Sequence, residues 1–308
     1  MLTPVDTHKP ICPRCAYDLS GIVESWKNTC PLAGTCSECG LAVAWRDVIA
    51  GPLRLPRWSF EHATSNRVVP AFFCTLGMVL VPTRLWSGLR LEMRFAHHRL
   101  MLLVLFGMLA TKCLGLLLLG GSVVAIAFAN GGFSGFYSPG EVAAELLWPY
   151  KDFGGWWRDG YLVSPWVAIS TLTVILTPLA FRLLPFSLRR AKVSARHIIR
   201  VQCYSLALLP WTIGMWSFLG VVYLLDWELG VEVPIFSELF YISRDFSPML
   251  GIVSLVWTVA VLLWFWGAAV RHYLRLDHPL AVAAAMTCVA GLSAAIGVTL
   301  MFGHRLFW

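Results

Sequence analysis

Cys12-Pro13-Arg14-Cys15 and, after twenty intervening residues, Cys36-Ser37-Glu38-Cys39-Gly40 decide how the start of this chain folds. Two Cys-x-x-Cys pairs about 15–20 residues apart have the spacing of a four-thiolate metal site. Zinc takes four ligands in a tetrahedron, and each short pair supplies two thiolates from one tight turn. Gly40, just after the second pair, suits a turn that needs a positive φ. The expectation is one structural zinc ion on Cys12, Cys15, Cys36 and Cys39. Two disulfides are the competing arrangement, suited to an oxidising compartment. Met1 to Pro10 contain no apolar run of the signal-peptide kind, which points instead to a reduced, cytosolic head. Cys30 reads as a surface thiol, with a fallback ligand as the alternative. Cys74, Cys113, Cys203 and Cys288 lie singly in apolar runs and read as small hydrophobes.

Residues 1–50 therefore form a ribbon head. Leu41-Ala42-Val43-Ala44-Trp45 alternates like a short strand. Such a ribbon has almost no core, so metal binding provides most of its folding energy. Its basic content between residues 12 and 40 is modest, Arg14 and Lys27 against Asp18, Glu24 and Glu38. A nucleic-acid module carries a dense basic stripe, so docking of a cytosolic protein, or capping of the N-terminus, is the better reading. Residues 51–67, with Pro52, Pro56, Arg54, Arg57 and Trp58, read as a linker, and His62 within it takes no role. The stretch Cys12-Pro-Arg-Cys-Ala-Tyr-Asp-Leu-Ser-Gly21 with Cys36-Ser-Glu-Cys-Gly40 resembles the zinc ribbon that opens many bacterial multi-span membrane proteins. It departs from that pattern at Ala16, where Gly is usual, at Ser37, where Pro is usual, and in a longer insert. None of these is a ligand.

The rest of the chain is too apolar for a soluble protein. Of 308 residues 58% are hydrophobic and 13% charged, which implies several membrane spans. Five runs are long enough: 101–129, 163–181, 201–225, 248–270 and 279–302. The run from Val68 to Pro82 is short and holds Pro70, Gly77 and Pro82, with arginines on both sides. It reads as a re-entrant or interfacial segment. Arg84 to Leu100 then reads as an amphipathic surface helix, with Leu85, Leu89, Met93, Ala96 and Leu100 on one face. Together these make 68–100 an interfacial entry to a five-span bundle, 101–308. Segments 84–99, 182–200 and 271–278 carry twelve Lys and Arg, whereas 130–162, 226–247 and 303–308 carry four. By the positive-inside rule the N-terminus is cytosolic and the C-terminus outside, in a bacterial inner membrane. The fold expected is an all-α membrane bundle with a small β zinc ribbon.

Lys112 is the one charge deep in a span, where a lysine costs about 2.5–3.5 kcal/mol. It marks a polar site within the bundle. Arg189, Arg190, Lys192, Arg196 and Arg200 form the densest basic cluster and read as contacts to anionic lipid head groups. His97, His98, His197, His272 and His278 fall on the same side without a metal-binding helical spacing. Thr171, Thr173, Thr177 and Gln202 read as helix-packing contacts. The outer segments are acidic, with Glu141, Glu145, Asp152 and Asp159 in the first, which reads as a solvated face. The aromatic residues there, such as Trp156 and Trp157, read as interface anchors.

Three stretches, Val81-Pro82-Thr83-Arg84-Leu85-Trp86, Arg196 to Leu206 and Tyr273 to Pro279, together with the five-span pattern, resemble the Yip family of membrane proteins. The Pro82-x-x-x-Trp86 entry, the cytosolic N-terminus and the short outer C-terminus belong to the same resemblance. Eukaryotic Yip relatives work with small GTPases in vesicle traffic, and no residue role is carried over from them. The chain shows no Ser/His/Asp arrangement, no phosphate-binding loop and no His-Glu-x-x-His motif. The function expected is non-enzymatic, docking a cytosolic protein or organising the membrane. The alternative is a small permease or channel built around Lys112.

Overall fold

The computed structural model describes residues 10–27, 29–49, 55–129, 163–182, 192–212, 214, 243–276 and 278–306. They are mostly helical, with one two-stranded antiparallel sheet. The chain divides into two compact units. One holds residues 1–104, 181–205 and 264–284, and the other holds 105–180, 206–263 and 285–308.

The ribbon head belongs to the first unit. A short helix α1 (Ser20–Glu24) follows Asp18, whose carboxylate accepts the Ser20 N–H at 2.9 Å. Strands β1 (Ala33–Thr35) and β2 (Ala42–Ala44) pair antiparallel with Gly34 opposite Val43. Helix α2 (Trp45–Ile49) follows directly. The core is as small as expected: Leu19, Leu41, Val43 and Trp45. Trp45 lies edge-on to Trp26, with ring centroids 4.9 Å apart. Its indole also lies on Gly34, where an added Cβ would come within 2.6 Å of Nε1, so only glycine fits there.

Residues expected to be a free linker are partly core. Ser59, Phe60 and Glu61 are buried in and beside a 3₁₀ turn, Phe60–His62. The Thr75 hydroxyl donates to Trp58 O and accepts Phe60 N–H, both at 2.8 Å, tying this turn to α3 (Val68–Val79). Helix α4 (Pro82–Gly88) begins with Pro82, where the missing N–H costs nothing.

The amphipathic helix expected over 84–100 is not continuous. It stops at Gly88, passes through turns, and resumes as α5 (His97–Ala129). Leu85, Leu89, Met93 and Leu100 are nonetheless buried. The apolar spacing was therefore a signal of burial against protein, met by a broken backbone rather than one helix.

Beyond α5 come α6 (Val163–Arg182), α7 (Ala195–Leu206), α8 (Ser243–Ala268) and α9 (Pro279–Leu306). A π-helical turn, Ala269–Leu274, extends α8 and ends in Arg275 with φ 52°. Among the described residues two helices are long and apolar enough to cross a membrane, Leu255–Leu274 and Pro279–Leu300; His97–Thr111 and Ala168–Arg182 are shorter apolar helices. The runs 101–129, 163–181, 248–270 and 279–302 each lie within helix. The run 201–225 does not begin as one helix. Helix α7 ends at Leu206, four residues before Pro210, whose ring would clash with the Leu206 carbonyl. Thr173 and Thr177 are buried but bond to carbonyls four residues back on α6, at 2.6 Å each, rather than across helices. Gln202 accepts Arg182 Nε at 3.2 Å, a contact between α6 and α7.

Candidate metal centre

The four thiols expected as ligands converge. The sulfurs of Cys12, Cys15, Cys36 and Cys39 all lie within 4.8 Å of one another. Cys12 Sγ is 3.6 Å from Cys39 Sγ, and Cys15 Sγ is 3.7 Å from Cys36 Sγ. A disulfide bond is about 2.05 Å long, so these are not disulfides. A tetrahedron with ~2.3 Å metal–sulfur bonds has edges of about 3.8 Å, close to the observed separations. Among the described residues this is the one such convergence of His, Cys, Asp or Glu. His97, His98, His197, His272 and His278 form no such group among the described residues. Cys30 is exposed and is not among the converging thiols.

Each pair is built as the same turn. The Cys12 carbonyl accepts Ala16 N–H and the Cys36 carbonyl accepts Gly40 N–H, both at 3.0 Å. Ala16 has φ 62° and Gly40 φ 68°. Backbone N–H groups of Arg14 and Cys15 point at Cys12 Sγ, and those of Glu38 and Cys39 at Cys36 Sγ. Burial pushes the Cys12 and Cys39 thiols up, whereas at Cys36 the backbone N–H groups of Cys39 and Glu38 outweigh burial and bring the thiol down. Four converging thiols could hold a thiolate-binding dication, which would supply the balancing positive charge.

Ala16 carries a strain that Gly40 does not. A left-handed conformation costs an L-residue about 1–2 kcal/mol. Ala16→Gly is expected to stabilise the metal-loaded chain by about 1 kcal/mol after the greater freedom of the unfolded glycine is subtracted. Thermal unfolding of the two proteins checks this.

The head is not a free module. Its first knuckle is held by the start of α7. Ser194 N–H donates to Arg14 O at 2.8 Å, and Arg196 Nη2 donates to Pro13 O at 3.0 Å. His197 Nε2 also bonds Pro13 O, and its Nδ1 lies 2.8 Å from the Tyr273 hydroxyl on the π-helical turn. A carbonyl only accepts, so Nε2 carries the proton. Tyr273 O–H therefore donates to Nδ1, and its oxygen accepts Arg200 Nη1 at 2.8 Å.

Arg200 is the centre of this network, not a head-group contact. Its side chain and that of Glu61 are fully buried, and Nη2 lies 2.8 Å from Glu61 Oε1. The guanidinium also reaches Oε1 through Nε at 3.2 Å and donates to Met93 O at 3.1 Å and to Arg94 O. Glu61 Oε1 further accepts Ala96 N–H at 3.0 Å. Trp86 packs over the assembly, with Phe265, Tyr204 and Tyr273 rings at 5.4, 5.6 and 5.2 Å. The chain from Pro13 O through His197, Tyr273 and Arg200 to Glu61 ties together the knuckle, α7, the π-helical turn and the turn before α3.

Of the other basic residues, Lys192 is exposed and pairs with Glu38 of the second knuckle, while Arg196 bonds Pro13. Arg189 and Arg190 lie outside the described residues, as do residues 130–162 and 226–242. Lys112 lies on α5, and its side chain is outside what is described. Glu61, Tyr273 and Tyr204 were missed in the sequence. A lone acid in a segment that looks like a linker gives no local sign of its partner 139 residues away.

No protein-family model matches the chain, and neither a curated protein nor a solved structure is found similar to it. Trp86, His197, Arg200, Tyr204 and Tyr273 share one packed network.

Burial holds His197 down at about 4, against the opposing pull of the Pro13 carbonyl. A histidine kept neutral when folded destabilises as the unfolded chain takes up its proton. Between pH 6.5 and 4 this costs up to about 3 kcal/mol, and above pH 6.5 it costs nothing. His197→Gln is expected to flatten that part of the stability–pH curve relative to wild type.

Proposed function

We propose that the chain is an integral membrane protein of five spans with a cytosolic ribbon head holding one structural zinc ion. Its C-terminus lies outside, in a bacterial inner membrane. Its role is non-enzymatic: it docks a cytosolic protein or organises the membrane. The zinc-ribbon and Yip resemblances belong to this proposal and rest on the residues quoted for them. The charge asymmetry of the segments supports the orientation.

The observation that carries the docking role is the attachment of the head. A knuckle fixed through Pro13 and Arg14 to α7 presents a rigid surface rather than a tethered one. Beside it lies a groove of about 330 Å³, lined by Tyr17, Glu38, Lys192 and Ser194. Tyr17 is 42% exposed and Leu32 of the same head 92%. An exposed tyrosine beside the Lys192–Glu38 pair is what a partner segment would contact.

The test is partner capture from native membranes. Wild type is compared with Tyr17→Asp, which leaves the thiols alone, and with Cys36→Ser/Cys39→Ser. Loss of one cytosolic protein in both variants, at equal insertion, supports docking. Unchanged partners in both would leave the ribbon as a clamp on its own helices.

A further inference from the structure

We propose that helix α3 is a membrane-interface anchor, its outer face covered by phospholipid at the boundary between head groups and acyl chains. One face of α3, formed by Ala71, Phe72, Thr75, Leu76 and Val79, is buried against protein. The other is exposed and wholly apolar: Val69 is 66% exposed, Phe73 63%, and Leu80, just past the helix end, 37%. No charged residue falls between Arg67 and Arg84, and both of those arginines are exposed. An exposed apolar face bracketed by arginines matches an acyl boundary bracketed by lipid phosphates.

Length excludes a crossing. Twelve residues rise about 18 Å, against a hydrocarbon core of about 30 Å. Position supports the boundary. Helix α3 packs on α4, and α4 packs on the final turns of the candidate span Leu255–Leu274, where Trp86 lies on Phe265 and Tyr273. That span ends in Arg271, His272 and Arg275, the level at which a cytosolic bilayer surface is expected. The arrangement narrows the re-entrant or interfacial alternatives to the interfacial one, because the inward face of α3 is already filled by Phe60 and Trp58 with its carbonyl.

The proposal rests on the membrane reading of the long helices, and the test separates the two. Photoreactive p-benzoylphenylalanine is placed at Phe73, and in a second protein at Trp257, which is 61% exposed on α8. The purified full chain is reconstituted into phosphatidylcholine–phosphatidylglycerol vesicles, irradiated, and its adducts are identified by mass spectrometry. The expected result is a phospholipid adduct from position 73 on the glycerol or upper acyl carbons, with Trp257 giving adducts along the lower chain. Adducts from position 73 on the terminal half of the acyl chain would overturn the interfacial placement in favour of a re-entrant one. A cross-linked dimer would show a second copy there, and no adduct would show water; either overturns the proposal. Failure at both positions would reject the membrane reading itself.

Discussion

Glu61→Ala is expected to destabilise the chain by about 3–5 kcal/mol, the cost of removing one partner from a buried ion pair. Arg200 has no exposure and no other carboxylate bonded to it among the described residues. Its remaining acceptors, the carbonyls of Met93 and Arg94 and the Tyr273 hydroxyl, solvate the guanidinium without neutralising it. The same change frees Ala96 N–H, which Glu61 Oε1 accepts at the entry to α5.

The pair is nevertheless imperfect, since Glu61 Oε2 is buried without a hydrogen-bond partner. Glu61→Leu combined with Arg200→Met is therefore expected to recover most of the loss, as apolar replacements of buried pairs often do. Denaturant unfolding of the three proteins in detergent checks this. A single-variant loss below about 1 kcal/mol would mean that the pair is solvated and that its burial is wrong.

Cys36→Ser/Cys39→Ser has the larger effect on the head. The wild-type chain is expected to carry one zinc per molecule and the variant none, by metal analysis of the purified protein. Apparent zinc binding contributes about 10–16 kcal/mol to the folding of zinc-finger peptides. With a core of a few side chains and a three-residue ladder, the head has nothing comparable to replace it. Limited proteolysis is expected to cut the variant between Cys12 and Trp45 while leaving the helices intact. A variant that keeps its metal would move the ligand set elsewhere.

The legible and illegible parts of this molecule divide by range. The cysteine cluster was legible because its thiols come as two local pairs, and β2 because Val43 alternates with the small Ala42 and Ala44. The long helices were legible because apolar runs need no partner to announce them. The buried network was not. Arg200 lies in a run with Arg189, Arg190, Lys192 and Arg196, and composition treats all five alike. Helical phase does not separate them either: Arg200 lies three residues after His197 and four after Arg196, so all three are neighbours on α7, and what buries Arg200 is the packing of Glu61, Met93 and Tyr273 around it. Glu61 was hidden in a segment whose prolines and arginines mark a linker. The break at Gly88 was hidden by apolar spacing that burial satisfied without a helix.

Pro13 and His197 join the four-cysteine knuckle to the helices. Amide hydrogen exchange on the full chain, with and without a zinc chelator, measures that joining directly. Chelation is expected to speed exchange in the head and, in the same step, in the first turns of α7, residues 195–200. Faster exchange in the head with α7 unchanged would contradict the account and leave the ribbon a separate module.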